Sequence, residues 1–387
     1  MYKHLIFAAL SLFFFTCKDA TSKTKIEPNK ITQAQLPKKT DNKNVEIVFC
    51  LDATGSMSGL IGTAKEKIWN IVSELAQSND VDTLKMGMVF YRDKGDTFVT
   101  KQIVLTNDLD GVYADLMDMT ADGGGDTPES LNKALNESVE AMLWSADQKT
   151  YRTIFVVGDC PPHMDYRDDV LYTVSCKKAA AKGIAINTIK LGNSCGDAVS
   201  HFKKIAACSN GEFLQLDQNA TDYAIETPYD KEINKVSKKV DDSRLYYGDE
   251  DEQLKSNAKK TKEMEVYDKA SSTANSARAA YKSSKSGRKS WMGSKEIVKD
   301  YKEGKVQIDE LSEQELPTVL KNKTKEEKEI YMNNLLKERD SSILTLRELN
   351  KKRKAYIKEK ESERKGVDSV SFSKEILKVM KKQSKEK

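Results

Sequence analysis

The chain has 387 residues, 32% of them charged and 38% hydrophobic, with a mean hydropathy of −0.63. That length holds one good-sized core plus something extra, and the polarity argues against one compact fold filling the whole chain. Charge is uneven: residues 241–387 carry 36 basic and 28 acidic side chains, a net of +8, against a net of −4 in residues 1–240. Mixed-sign charge of that kind reads as a solvated helical surface rather than a nucleic-acid site, so no nucleic-acid partner is expected.

The first element is a targeting segment, residues 1–17. Lys3 and His4 precede the apolar run Leu5–Phe15, which is too short to span a bilayer, and Thr16-Cys17 follows. The layout is that of an export signal. A cysteine directly after the apolar run resembles a bacterial lipoprotein signal, in which Cys17 would become the lipidated first residue. An ordinary signal with an incidental cysteine is the alternative. The polar stretch Lys18–Asn44 reads as a tether, and no later segment is long and apolar enough to cross a membrane.

From residue 45 to about 218, strand-like and helix-like segments alternate. Val45–Leu51 is an apolar strand, and Gly59–Gln77 carries apolar residues near helical spacing. Leu84–Tyr91 is a second strand and Pro128–Leu143 a second amphipathic helix. Arg152–Asp159 is a strand that ends in an acid, Val170–Lys182 a helix, and Ile184–Gly192 a strand. A helix around His201–Gly211 and the strand Glu212–Leu216 close the region. This order predicts an α/β fold with a mostly parallel sheet covered by helices on both faces. Such sheets bind ligands at the carboxyl ends of their strands, where Asp52 and Asp159 both fall.

Residues 219–320 are polar, a linker or extension in which Ser271–Ser290 reads as flexible or surface-bound. Residues 321–387 form a helical tail. Thr324 and Glu327 make a capping-box pattern, and Ile330, Leu335, Leu336, Ile343, Leu346, Leu349, Tyr356 and Ile357 form an apolar stripe that runs toward Gly366. Leu336, Ile343 and Ile357 keep a seven-residue step broken by Asn350, so a coiled coil and docking on the front domain are equally open. The Lys-rich run Lys351–Lys360 could touch anionic lipid or nucleic acid, but Glu residues and helical spacing favour a solvated face.

Six cysteines are present. Cys50, on the first strand, reads as an inert core residue. A Cys195–Cys208 disulfide is the first expectation in an exported chain, with Cys160–Cys176 as another pair; connectivity does not follow from sequence.

The chemistry concentrates after the first strand, where Asp52, Thr54 and Ser56 form Asp-x-Thr-x-Ser. Hard oxygens at alternate positions of a tight turn suit Mg²⁺ (or Mn²⁺), and Gly55 lets the backbone fold so that they converge. The same residues serve equally well as a helix N-cap. Here the sequence resembles the von Willebrand factor type A domain with its metal-ion-dependent adhesion site. "DATGSM" matches the first motif of that family, "GGGDTPES" (Gly123–Ser130) its second loop, and "VVGD" (Val156–Asp159) the strand-end aspartate that completes the site. Thr54 stands where serine is commoner. Thr127 and Asp126 are both candidates in the second loop. "FYRDKGD" (Phe90–Asp96) resembles the loop after the second strand in bacterial relatives and reads as rim. The tail resembles, more loosely, the helical extension of some bacterial exported members.

The resemblance implies a Rossmann-like fold and a non-enzymatic, metal-dependent protein-binding module. Protein oxygens would fill most metal positions, and a carboxylate from a protein partner would take the open one. With the lipid anchor, it implies an exported, membrane-anchored lipoprotein of the bacterial cell envelope. A structural protein that binds through its tail is the competing class. A Mg²⁺-dependent phosphatase of the haloacid-dehalogenase type needs a second aspartate where Thr54 stands. A Cys160/His163 hydrolase would place a thiolate beside the acidic Asp159. With three histidines (His4, His163 and His201), a histidine-based zinc site has little to draw on.

Overall fold

A computed structural model describes residues 43–78, 81–216, 225–284, 287–363 and 372–385. The targeting segment with Cys17, most of the tether, and Gly366 lie outside the described residues.

Six strands form one sheet: β1 (Lys43–Asp52), β2 (Val81–Tyr91), β3 (Thr100–Thr106), β4 (Tyr151–Gly158), β5 (Ile184–Leu191) and β6 (Phe213–Leu216). Their order is β3-β2-β1-β4-β5-β6. All neighbours pair in parallel except β2 with β3, which is antiparallel. The expected α/β architecture is therefore present. β3 adds an edge strand that periodicity did not reveal, because its outer positions are partly exposed and polar.

Alternate residues of the central strand face opposite sides, as strand geometry requires. Val48 and Cys50 point into a core with α3 (Leu131–Glu140), α4 (Tyr172–Ala181) and α5 (Ala198–Ala207). Cys50 is a free, buried thiol, as expected of a core residue. Ile47, Phe49 and Leu51 face the other core, with α1 (Ile61–Gln77) and α2 (Leu109–Asp118).

That second face is completed by the region expected to be a linker. Residues 230–302 form α6 (Asp230–Asp242), α7 (Glu250–Lys269), α8 (Ser272–Ser283), α9 (Gly287–Ser290) and α10 (Ile297–Lys302). Val266 of α7 and Ala277 and Tyr281 of α8 belong to the same core as the sheet. Tyr281 meets Trp69 edge-on at 5.6 Å, while Tyr113 stacks on Trp69 at 4.2 Å. The Ser271–Ser290 stretch is thus not a flexible surface segment. Its alanines and serines let α8 lie close against α1, close enough for Ser73 Oγ to donate to the Ala277 carbonyl at 2.9 Å. The two cations of α8, Arg278 and Lys282, are buried against Asp110 and Asp241. Polarity that resembles solvation in the sequence is neutralised by buried partners in the fold.

The tail helix α11 (Lys325–Glu363) is about 58 Å long at about 1.5 Å per residue. It docks on its own chain: Met332, Arg339 and Leu346 are its buried positions, a step of seven residues. Leu346 joins a small core with α6, α8 and Trp291, and Met332 one with α10 and Leu316. Arg339 spans the two, donating Nη1 and Nη2 to the Glu296 carboxylate at 2.8 and 3.0 Å. A last helix, α12 (Phe372–Lys385), places Ile376 and Met380 in the core beside the sheet. Its Gln383 accepts from the Tyr151 hydroxyl at 2.6 Å and donates to Asn187 Oδ1 at 2.9 Å. The tail therefore helps to cover one face of the sheet.

Candidate metal centre

The turn after β1 brings the predicted oxygens together. Asp52 Oδ1 accepts from the Thr54 backbone N–H at 2.9 Å and from Thr54 Oγ1 at 2.7 Å. Thr54 Oγ1 lies 3.0 Å from Ser56 Oγ, and Ser56 Oγ donates to Asp159 Oδ1 at 3.0 Å. Asp52, Thr54, Ser56 and Asp159 thus form one run of oxygens across the carboxyl ends of β1 and β4. The helix-cap alternative does not hold, since Thr54 makes no side-chain cap on the 3₁₀ turn that follows and Leu60 none on α1.

Two glycines permit this closeness. A Cβ on Gly55 would fall 2.7 Å from the Gly123 carbonyl, which accepts from the Gly55 N–H at 2.9 Å. A Cβ on Gly158 would fall 2.4 Å from the Tyr91 hydroxyl and 3.1 Å from Asp52 Oδ2. The second loop is tied to the first by Asp122 N–H donating to the Ala53 carbonyl at 3.0 Å. Arg92 holds both, donating Nε to the Ala53 carbonyl and Nη2 to that of Thr120.

The electrostatics are those of crowded, dry carboxylates. Burial, then the Asp159 charge, pushes the Asp52 carboxyl up to about 7. Burial also raises Asp159. Glu129, which sequence reasoning passed over within "GGGDTPES", is a third buried acid here. Burial, then the Asp52 charge, pushes it up to about 9. Asp52 Oδ2, Glu129 Oε2 and the Tyr91 hydroxyl are buried with no hydrogen-bond partner among the described residues. Buried polar atoms are nearly always paired, so these orphans call for an explanation. A divalent cation fits: it would satisfy the free carboxylate oxygen and offset the mutual repulsion, and the donors are the hard oxygens it prefers.

The two loop candidates do not join this group. Asp126 is exposed and lies 3.4 Å from His163 Nε2, with Asp93 on the same nitrogen. Thr127 is exposed on the same loop and, among the described residues, is hydrogen-bonded to neither group. Asp93, Asp126 and His163 form a second candidate metal-binding group, their donor atoms all within 4.8 Å of one another. Sequence reasoning treated Asp93 as rim and His163 only as a hydrolase partner. The sole signal was position, since both follow strand ends.

The disulfides correct the expected pairing. Cys160 is bridged to Cys195 and Cys176 to Cys208, so neither Cys195–Cys208 nor Cys160–Cys176 forms. Cys195 precedes α5 and Cys208 caps its end, so a ten-residue helix, about 15 Å, holds them apart. The loops after β4 and β5 are neighbours and are joined by Cys160–Cys195, and the neighbouring α4 and α5 are joined by Cys176–Cys208. With its sulfur in a bridge, Cys160 is no nucleophile.

A family model described as von Willebrand factor A domain matches residues 46–218. Residues 46–218 are a von Willebrand factor A domain. An ariadne-like RING finger protein of Acanthamoeba polyphaga mimivirus is 27% identical over 189 residues, 45% of this chain and 18% of that protein. The match thus spans under a fifth of that relative's length. Among solved structures, BatB from Bacteroides thetaiotaomicron is 19% identical, covering 45% of this chain and 91% of that one, with a TM-score of 0.36. Proximal thread matrix protein 1 from the mussel byssus is 12% identical, covering 46% and 43%, with a TM-score of 0.35. A second structure of that mussel protein, described as having a zinc-occupied MIDAS motif, is 11% identical with a TM-score of 0.36.

Proposed function

We propose that the chain is a non-enzymatic protein-binding module that works through a divalent cation, Mg²⁺ or Mn²⁺, at its von Willebrand factor A domain. The observation that carries this is the run of Asp52, Thr54, Ser56 and Asp159, with the buried Asp52 Oδ2 unpartnered and Ser56 exposed at the rim. Asp52, Ser56 and Asp159 would hold the ion, directly or through water, with Thr54 beside them. Of the two second-loop candidates, Thr127 is the one to be drawn in, since Asp126 lies against His163. The bound cation would supply positive charge at an exposed position, where a partner's carboxylate is the fitting ligand.

We further propose that the module is exported and held at a bacterial envelope membrane by lipid on Cys17. What supports this is the signal-like residues 1–17 followed by a polar stretch. No helix among the described residues is long and apolar enough to cross a membrane. The binding proposal is tested by partner retention on immobilised full chain, with Mg²⁺ and with chelator, for wild type, Asp52→Ala and Ser56→Ala. Retention that needs Mg²⁺ and falls in both variants supports it. Retention that survives both, yet is lost when the exposed Lys351, Lys352 and Lys354 of α11 are replaced by glutamate, would place binding on the helical tail.

A further inference from the structure

Asp93, Asp126 and His163 come from three loops at the carboxyl edge of the sheet, outside the run of oxygens built on Asp52. His163 is buried, its side chain 4% exposed, with Tyr166 stacked on the ring at 3.8 Å between centroids. Its backbone is pinned as well: its N–H donates to the Glu129 carbonyl at 2.9 Å, and its carbonyl accepts from Asn132 Nδ2. The ring is therefore fixed in place and orientation.

The two ring nitrogens differ. Nδ1 lies 2.8 Å from Asp165 Oδ1, an ordinary charge-assisted hydrogen bond. Nε2 lies 3.4 Å from Asp93 Oδ2 and 3.4 Å from Asp126 Oδ1. A protonated imidazolium held by these acids would draw them to about 2.7–2.9 Å. At 3.4 Å the contacts are too long for such bonds. They match instead the separation of two ligands on a tetrahedral ion, about 3.3 Å for bonds of about 2.0–2.1 Å.

The surroundings are those of metal ligands. A ligating histidine commonly donates its other nitrogen to a carboxylate, as His163 is placed to do with Asp165, and ligating carboxylates are themselves hydrogen-bonded. Asp93 is: Ser130 Oγ donates to its Oδ1 and the Tyr166 hydroxyl to its Oδ2, both at 2.8 Å.

We propose that Asp93, Asp126 and His163 form a second metal site, selective for a borderline divalent transition ion such as Zn²⁺ over Mg²⁺. One imidazole and two carboxylates suit that class, whereas Mg²⁺ favours oxygens alone. Three protein ligands leave a fourth position open, and Asp126, with its side chain 60% exposed, puts it at the rim. Asp165 is a positioning residue that sets the His163 tautomer. Glu129 links the two centres, its side chain beside Asp52 and its carbonyl on the His163 N–H.

The test is calorimetric titration of tag-free, metal-stripped full chain with Zn²⁺ in excess Mg²⁺, with Co²⁺ as a spectroscopic probe of geometry. One Zn²⁺ should bind, with a tetrahedral Co²⁺ spectrum. Binding should persist in Asp52→Ala, weaken at least ~100-fold in His163→Gln, and weaken ~10–100-fold in Asp165→Asn. Asp165 is largely exposed, so that variant keeps the fold even if His163→Gln does not. Equal affinity in wild type and Asp165→Asn, no Zn²⁺ binding in wild type, or loss in Asp52→Ala would overturn the proposal. A Mg²⁺ titration of the same samples reads the Asp52 centre separately, so either site can fail alone.

Discussion

Replacing Arg278 with methionine probes the junction between the sheet and the C-terminal helices. The guanidinium is fully buried and bidentate, Nε donating to Asp110 Oδ1 at 2.5 Å and Nη2 to Oδ2 at 2.7 Å. Lys282 lies 3.1 Å from Asp110 and 2.6 Å from Asp241, and Arg244 pairs with Glu263 at 2.5 Å. Three buried acids and three buried bases thus balance between α2, α6 with the turn after it, α7 and α8, with the partly exposed Lys259 adding a cation 3.6 Å from Glu263 at the edge. Without Arg278 one carboxylate is left over in a dry site, which costs roughly 3–5 kcal/mol. Lys282 still faces Asp110, so the lower end, about 3 kcal/mol, is expected. At roughly 2–4 °C per kcal/mol this lowers the melting temperature by about 6–12 °C under non-reducing conditions.

The pH dependence has a definite sign. Burial raises the Asp110 carboxyl, but Arg278 and Lys282 outweigh it and hold it below the usual carboxylate range. For Asp241, burial is likewise outweighed, by Lys282, Arg244 and Arg278. Their stabilisation is present above the ordinary carboxylate pKa, about 4, and is lost as pH falls below it. Arg278→Met should therefore flatten the acid limb of the stability curve. Calorimetry of wild type, Arg278→Met, Asp110→Asn and the double variant gives the coupling, which should exceed about 1 kcal/mol. A loss below about 1 kcal/mol in Arg278→Met, or a separate early transition that leaves the sheet domain's melting unchanged, would refute the reasoning.

Peptide mapping without reduction should find Cys160 linked to Cys195 and Cys176 to Cys208, and any Cys195–Cys208 peptide would contradict the fold. Reducing either bridge, which closes a loop of 35 or 32 residues, should cost about 3–4 kcal/mol in the chain-entropy model. Gly158→Ala should weaken Mg²⁺ binding at least ~10-fold and cost about 1–3 kcal/mol, because the new methyl group overlaps the Tyr91 hydroxyl and crowds Asp52; wild-type Mg²⁺ affinity would argue against the centre. Cys17→Ser should move the protein from the membrane to the soluble fraction on cell fractionation, and unchanged membrane association would count against the lipid anchor.

What was legible in the sequence followed from periodicity and short-range order. The parallel strands are apolar runs, two of them (β1 and β4) leading into the acids Asp52 and Asp159, and Asp52, Thr54 and Ser56 lie within one turn. Other features depend on what a segment meets after folding. β3 is an edge strand with exposed polar positions, and α2 is short with Gly111 inside it. α8 hides its burial behind alanine, serine and two cations whose partners lie on α2 and α6. Glu129 was visible as a letter, but its place beside Asp52 is set by loop packing. The Asp93, Asp126 and His163 group joins the loops after β2 and β4 to the loop between α2 and α3, and no local spacing encodes it. The disulfide pairing was illegible for the same reason, since chain proximity of Cys195 and Cys208 misleads when a rigid helix lies between them.

The central claim is that the oxygens around Asp52 hold a divalent cation, and its most direct test is Mg²⁺ titration of the metal-stripped full chain by calorimetry. Wild type should bind one Mg²⁺, Asp52→Ala should lose it, and Ser56→Ala should bind it more weakly. Melting of Asp52→Ala without metal should be no worse than wild type, because the substitution removes one of the crowded buried carboxylates. Mg²⁺ bound by both variants with wild-type affinity would contradict the claim.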